Sequence, residues 1–357
     1  MGDRLEQGGR QLKILVTGGA GFIGSNVAEY YAQKGNDVVV YDNLSRAELL
    51  GSDDRNTDYN WNYLKKYKNV NLVKADIRDK DHLETTAREV DAIVHTAAQT
   101  AVTTSVVDPQ TDFMVNALGT LNVLEAARKA KTRPKIIYCS TNKVYGENVN
   151  RIEIVEKENR YEFVEEFRNG VPESFNIDIC EHTPYGCSKL TGDLYVQDYG
   201  HLYGLTTGVF RMSCIYGTRQ FGVEDQGWVA HFAISVLTGK PITIFGDGKQ
   251  VRDVLHVSDL VTAFDRFLQN QNQSQVFNMG GGPENTLSLL ELIEMLEKST
   301  GKKANLSYKD WRPSDQKVYI SDISKAREVL KWRPTIGPLN GVRHLIRWIR
   351  ENEAIFS

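Results

Sequence analysis

Cysteine is scarce in this chain and poorly spaced for ligation or cross-linking. Its four copies, Cys139, Cys180, Cys187 and Cys214, include no Cys-x-x-Cys pair, which argues against a zinc knuckle or a disulfide framework and for reduced thiols. No metal site is expected. Long apolar runs are missing as well: nothing approaches the roughly 18 residues needed to span a bilayer, and the polar residues 1–11 lack the apolar centre of a signal peptide. Positive charge is not in excess either. With 43 Lys and Arg against 46 Asp and Glu, the formal charge is -3, too little field to draw the chain onto a nucleic-acid backbone or an anionic membrane. The expectation is a cytoplasmic protein with neither of those partners.

What is present is a chain of 357 residues, 41% hydrophobic and 25% charged, enough for a substantial core and for two domains or one with an appendage. The apolar runs LKILVTG, DVVVYDN, VNLVKAD, DAIVHTAA and KIIYCST alternate with helical periods, the pattern of a parallel sheet wound by helices. A sixth strand, TTGVFRM, follows a helix that begins near Pro184, and a seventh, SQVFNMGG, comes much later. The fold class is α/β: a doubly wound sheet over residues 12–212, with an excursion at 147–183 and a return at 257–280. Residues 213–256 and 281–332 form a smaller, discontinuous lobe, and 333–357 a C-terminal helix.

The stretch ILVTGGAGFIGSNVAEYYAQKG sets Gly18, Gly19, Gly21 and Gly24 between an apolar strand and an amphipathic helix that Gly35 caps. Such glycines let the backbone approach a pyrophosphate, whose charge meets the free amides and positive dipole end of the helix. The second strand ends at Asp42, where a carboxylate accepts both ribose hydroxyls and repels a 2′-phosphate. This is a Rossmann-type site for NAD rather than NADP. Phe22, Ile23, Asn43, Ser45, Arg46 and Ile77 extend it, and Asp76, ending the third strand, either touches the adenine or caps a surface helix.

In TPYGCSKL, Tyr185 and Lys189 share one helical face, with Cys187 between them as a small residue on that helix. Thr141 ends the fifth strand, and strand ends are where a nicotinamide lies. A phenol with a pKa near 10 is a poor base at neutral pH, and lowering it by about three units takes roughly 4 kcal/mol. Lys189 and the cationic nicotinamide ring are the charges expected to supply it. Tyr185 then takes a hydroxyl proton while hydride leaves the same carbon, and Thr141 bonds the oxygen.

Together with TGGAGFIG, HTAAQ, VNALGTLNVLEAAR, STNKVYG, YGCSK, FRMSCIYG and GDGKQVRDVLHVSDL, these motifs make the chain resemble the extended short-chain dehydrogenase/reductase family of nucleotide-sugar epimerases and dehydratases, from Leu12 to the C-terminal helix. The resemblance implies that Thr96, Ala97, Ala98, Gln99, Thr100, Asn116 and Ser213 also line the NAD site. It implies that Arg252 and Arg312 grip a nucleoside diphosphate through planar guanidinium donors, with Asp315 nearby. Gln220, Phe221 and Gln226 are placed by it near the nucleotide or sugar, with Gln250 beside them and Thr103 in a small-residue lining. Where many relatives carry Asn in R-x-x-N-x-Y-G, this chain has Cys214.

Dehydratases of the family follow the threonine with an acid and a base. Here Asn142 cannot deliver a proton, and nothing in the sequence perturbs Lys143 into a base, so dehydration is disfavoured. STNKVYG, RQF, DQGWV and GKQVRDVLH resemble a narrower group of 2-epimerases, implying oxidation at C2 of a CDP-hexose and hydride return to the opposite face, with Asn142 bonding a sugar hydroxyl. A UDP-sugar 4-epimerase is the alternative activity, and a non-catalytic NAD-binding module the alternative class. The family resemblance also implies a homodimer or homotetramer, paired through helices near 112–131 and 184–203.

Overall fold

The computed structural model describes residues 10–49, 58–270, 274–312 and 315–356. The polar start at 1–9 and the Pro313–Ser314 step of the WRPSD motif lie outside the described residues. All seven expected strands are present: β1 (Lys13–Thr17), β2 (Asp37–Asp42), β3 (Val70–Lys74), β4 (Ala92–His95), β5 (Lys135–Thr141), β6 (Thr207–Met212) and β7 (Gln275–Met279). They form one parallel sheet in the order β7-β6-β5-β4-β1-β2-β3. The order reverses between β1 and β4, and such a switch point opens a crevice at the carboxyl ends of the strands.

The apolar runs read as continuous because helices cover both faces of the sheet. Ile14 and Val16 join one core cluster with Val27 and Leu260, while Leu15 joins the opposite one with Val123 and Leu124. All three β1 residues are fully buried, each worth about 1.5–3 kcal/mol of burial, so a charge at any of them breaks the sheet at its centre. Helix α1 (Phe22–Gln33) ends with Gly35 at φ +80°, the left-handed stop expected of it.

One expected helix differs. The stretch near 112–131 is a short helix Pro109–Phe113, a widened π-turn Met114–Leu118, and then α2 (Gly119–Lys129). The turn widens where the buried Asn116 amide bonds Gln99, Asp112 and Ser188, contacts that compete with a regular helical ladder. Helix α3 (Thr183–Tyr203) runs alongside. Among the described residues no helix is long and apolar enough to cross a membrane.

A second core forms where α4 (Trp228–Thr238), α5 (Leu289–Thr300) and α6 (Pro338–Glu351) bury Phe232, Ile242, Leu292 and Leu345 together. Its central strand, Val251–His256, pairs with Cys214–Tyr216, Thr286–Ser288 and Val318–Tyr319. That strand carries Arg252, and the loop before Val318–Tyr319 carries Asp315 and Gln316. Both therefore hang over the end of β5.

At the end of β4, His95 is 2% exposed, with Nδ1 2.7 Å from Thr17 Oγ1 and Nε2 3.1 Å from Thr120 Oγ1. Burial pushes its pKa down to about 3, against roughly 6.5 in an unfolded chain. Between those values the unfolded state binds the extra proton, so stability falls as pH drops, by about 2 kcal/mol at pH 5 from this residue. Thermal melts at pH 7.5 and 5 should show that loss, and His95→Gln, which cannot titrate, should show a shallower one; equal slopes would refute the assignment.

Candidate active site

The glycine loop fits between α1 and the chain after β4 with no room for a Cβ. At Gly18, φ +67°, a Cβ would lie 2.5 Å from Ala97 N; at Gly24 it would meet the Gly18 carbonyl, and Gly19 Cα at 2.7 Å. No side chain caps α1 at Gly21, which leaves its first amides to an anion. The cavity above the loop is lined by Gly18, Gly21, Phe22, Ile23 and Gly24, by Asp42, Asn43, Ser45, Arg46, Asp76 and Ile77, and by Thr96 to Thr100. Asn116 and Ser213 do not line it. Asn116 spends its amide on Gln99, Asp112 and Ser188, and Ser213 bonds the Asp253 carbonyl.

Asp42 accepts from Ala20 N at 2.9 Å and Leu44 N at 2.8 Å, bonds that oppose the upward push of burial on its pKa. These amides aim the carboxyl at the cavity. Arg46 turns toward the second lobe, donating to the Phe221 carbonyl at 2.6 Å. Asp76 is clasped by Arg78 and by the Asn43 amide, which hold it at about 2.

The three side chains expected to react lie on adjoining elements, the end of β5 and the first turns of α3. Thr141, 7% exposed, ends β5, and its hydroxyl, close to the Tyr185 phenol, favours that phenol's ionised form. Lys189, 3% exposed, is one turn further along α3, with its ammonium 4.3 Å above the Tyr138 ring. Beneath them the buried pair Arg211–Asp193, 2.9 Å apart, is tied to Ser140 at 2.7 Å, joining β5, β6 and α3. Sequence reading missed this pair, though Asp193 falls on the same helical face as Tyr185 and Lys189.

One expectation needs correcting. Burial pushes Tyr185 up to about 12, Asp112 and Cys139 add to the rise, and only the nearby Thr141 hydroxyl opposes it. Burial lowers Lys189 to about 8. Lys189 thus stays mostly protonated near pH 7 but does not by itself make the phenol acidic.

The second-lobe residues are redistributed. Gln220, Phe221 and Gln226, expected near the nucleotide or sugar, line the same cavity as the glycine loop. Asp315 pairs with Arg252 at 2.7 Å, whereas Arg312 faces Asp225 at 2.7 Å and lies 3.8 Å over the Phe245 ring. A diphosphate would exchange with these carboxylates. Gln250 is buried and donates to the Phe245 carbonyl, and Thr103 bonds Asp225. Cys214, in place of the family's Asn, accepts from the Trp228 indole at 3.2 Å.

Lys143 departs from expectation too: burial and the nearby Arg252 lower its pKa. Asn142 donates to Gln316 Oε1 at 3.2 Å and accepts from Thr141 at 3.3 Å. Gln316, 1% exposed, sits next to Asp315. This short stretch therefore links an arginine of the second lobe to the reacting threonine.

Comparison with known proteins agrees with this geometry. The NAD dependent epimerase/dehydratase family matches residues 14–280. The chain belongs to that family. It is 42% identical to CDP-paratose 2-epimerase of Salmonella typhi, over 94% of this chain and 99% of that one. It is 33% identical to a putative UDP-glucose 4-epimerase of Methanocaldococcus jannaschii, over 95% and 99%. Its fold superposes on UDP-glucuronic acid 4-epimerase from Bacillus cereus, solved with UDP-glucuronic acid and NAD, with TM-score 0.78 and 30% identity over 96% of this chain and all of that one. As a family member it is an NAD-dependent nucleotide-sugar epimerase. The glycine cradle and the aimed Asp42 carboxyl fit the dinucleotide.

Gly24→Ala should empty this site. Its Cβ would press on backbone, which cannot give way cheaply, so NAD recovered per protein should drop at least about ten-fold; chromatographic NAD assay of heat-released supernatant is the check, and full occupancy would contradict the fit.

Proposed function

We propose that this enzyme inverts C2 of a CDP-linked hexose, as CDP-paratose to CDP-tyvelose, working in the cytoplasm as a homodimer or homotetramer. The observation that carries the reading is a base placed without an acid. Thr141 stands close to the Tyr185 phenol, and the next position holds an amide pinned by Gln316 where dehydration would need a proton donor. The lowered pKa of Lys143 leaves one ionisable group there, where elimination calls for a separate acid and base.

The sugar hydroxyl would lie against Thr141 and Tyr185. Tyr185 takes its proton and returns it at the end of the cycle, while Thr141 holds the oxygen. Bound NAD supplies the hydride acceptor and donor, so no net oxidation results. For Tyr185 to ionise near pH 7 from about 12, positive charge must reach it from Lys189 and the oxidised ring, a task of roughly 7 kcal/mol. Arg252 and Arg312 would hold the diphosphate, leaving the sugar free to present its other face. Exposed Phe113, Leu194 and Leu202 on the helices near 109–129 and on α3 support subunit pairing there.

Tyr185→Phe should lower turnover by about 10²- to 10⁴-fold with NAD content unchanged, and Lys189→Met should move the rising limb of the pH–rate profile upward. CDP-, UDP- and GDP-sugars assayed in deuterated water test the substrate. Inversion at C2 of a CDP-sugar without solvent deuterium supports the reading; turnover confined to UDP-sugars at C4 would replace it. Leu194→Glu with Leu202→Glu should yield monomers in light scattering, and an unchanged mass would reject that interface.

A further inference from the structure

Residues 218–226 leave the second lobe, cross the start of α1, and are tied down on the far side by Rossmann-domain groups. Asn26 donates to the Thr218 carbonyl at 3.2 Å, Arg46 to the Phe221 carbonyl at 2.6 Å, and Gln226 to Thr100 at 2.7 Å. Arg219, 4% exposed, pairs with Glu29 of α1 at 2.7 Å. The Phe221 ring is gripped from outside by Tyr59, Trp348 and Phe356, with centroids 5.4, 5.7 and 5.8 Å away.

Two amides on the inner side are unfinished. Gln220, 9% exposed, donates to the Ile215 carbonyl; Asn60, 4% exposed, donates to the Arg219 carbonyl. Those bonds fix each amide's orientation, and both leftover oxygens, Gln220 Oε1 and Asn60 Oδ1, are buried without a partner. Both residues line the cavity that holds the glycine loop and Asp42. A buried acceptor without a donor is costly, so the occupant has to bring hydrogens. Phosphate oxygens bring none, whereas ribose hydroxyls and the adenine amino group do.

We propose that Asn60 and Gln220 are NAD-binding residues that accept hydrogen bonds from the adenosine half, and that the 218–226 segment straps the dinucleotide in place through successive turnovers. The assignment rests on the family's cofactor and not on which sugar is epimerised. It also explains the bearing of Arg46: its guanidinium closes the strap rather than waiting for a 2′-phosphate.

The test is exchange of bound NAD for isotopically labelled NAD in the purified holoenzyme, with no sugar present, so that a wrong substrate leaves it intact. Asn60→Leu combined with Gln220→Leu should speed exchange about ten-fold or more. Trp348→Ala, which loosens the Phe221 grip without lining the cavity, should speed it as well while the protein stays folded by circular dichroism. Exchange within two-fold of wild type in both variants would overturn the proposal, and so would acceleration in Trp348→Ala alone, since the two amides would then bind nothing.

Discussion

In the proposed reaction Tyr185 has to give up a proton where burial and an acidic neighbour resist negative charge, and much of the architecture answers that constraint. A phenol in this setting is useless as a base until cations gather round it. Lys189 is held within one helical turn. A dinucleotide held in the crevice at the ends of β1 and β4 would extend its oxidised ring toward the end of β5. Burial does two jobs here, raising the barrier to ionisation in the empty site and strengthening each compensating charge once the site is filled. Deprotonation is thereby tied to cofactor occupancy.

The same logic bears on why the two cores are knit so tightly across the crevice. A reaction that borrows a hydride and returns it gains nothing from releasing its cofactor, and loses activity whenever it does. Ion pairs and hydrogen bonds from Glu29, Asn26, Arg46 and Thr100 to the segment after Cys214–Tyr216 bind the sheet domain to the second core on the cofactor side. On the substrate side the linkage is sparser. There Asp315 meets Arg252 and Gln316 meets Asn142, contacts that an incoming diphosphate or sugar can trade against. The molecule would thus be closed around the dinucleotide and exchangeable around the proposed substrate.

What could be read from the sequence follows from the range of the signal. Seven strands are legible because each is a short apolar run, most of whose residues are buried in every strand but the edge strand β3, and Gly18, Gly19 and Gly24 because close approach leaves no room for a Cβ. Tyr185, Lys189 and Thr141 stood out through helical spacing and a strand end. The Gln316–Asn142 bond spans 174 positions and has no periodic signature, so nothing local announced it. The motif of Gln220, Phe221 and Gln226 points to the nucleotide or sugar because it reads as a lobe feature, whereas the chain doubles back across α1. The Tyr185 pKa went astray for a related reason: charge partners can be guessed from spacing, but desolvation depends on packing that only the folded chain defines.

The position after the threonine carries the final step. An epimerase and a dehydratase of this family share the cofactor, the phenol and the oxidation, and they diverge only when the keto sugar either turns over or loses water. Losing water needs a proton at the departing oxygen, and an amide has none to give at any accessible pH. Pinning Asn142 between Thr141 and Gln316 also keeps a carboxylate's place filled by a neutral, hydrogen-bonded group, so the reactive intermediate meets orientation rather than acid. In the proposed reaction hydride return is then the exit that the site's own side chains support, and which face receives it would depend on how freely the sugar rotates where Arg252 and Arg312 would hold the diphosphate.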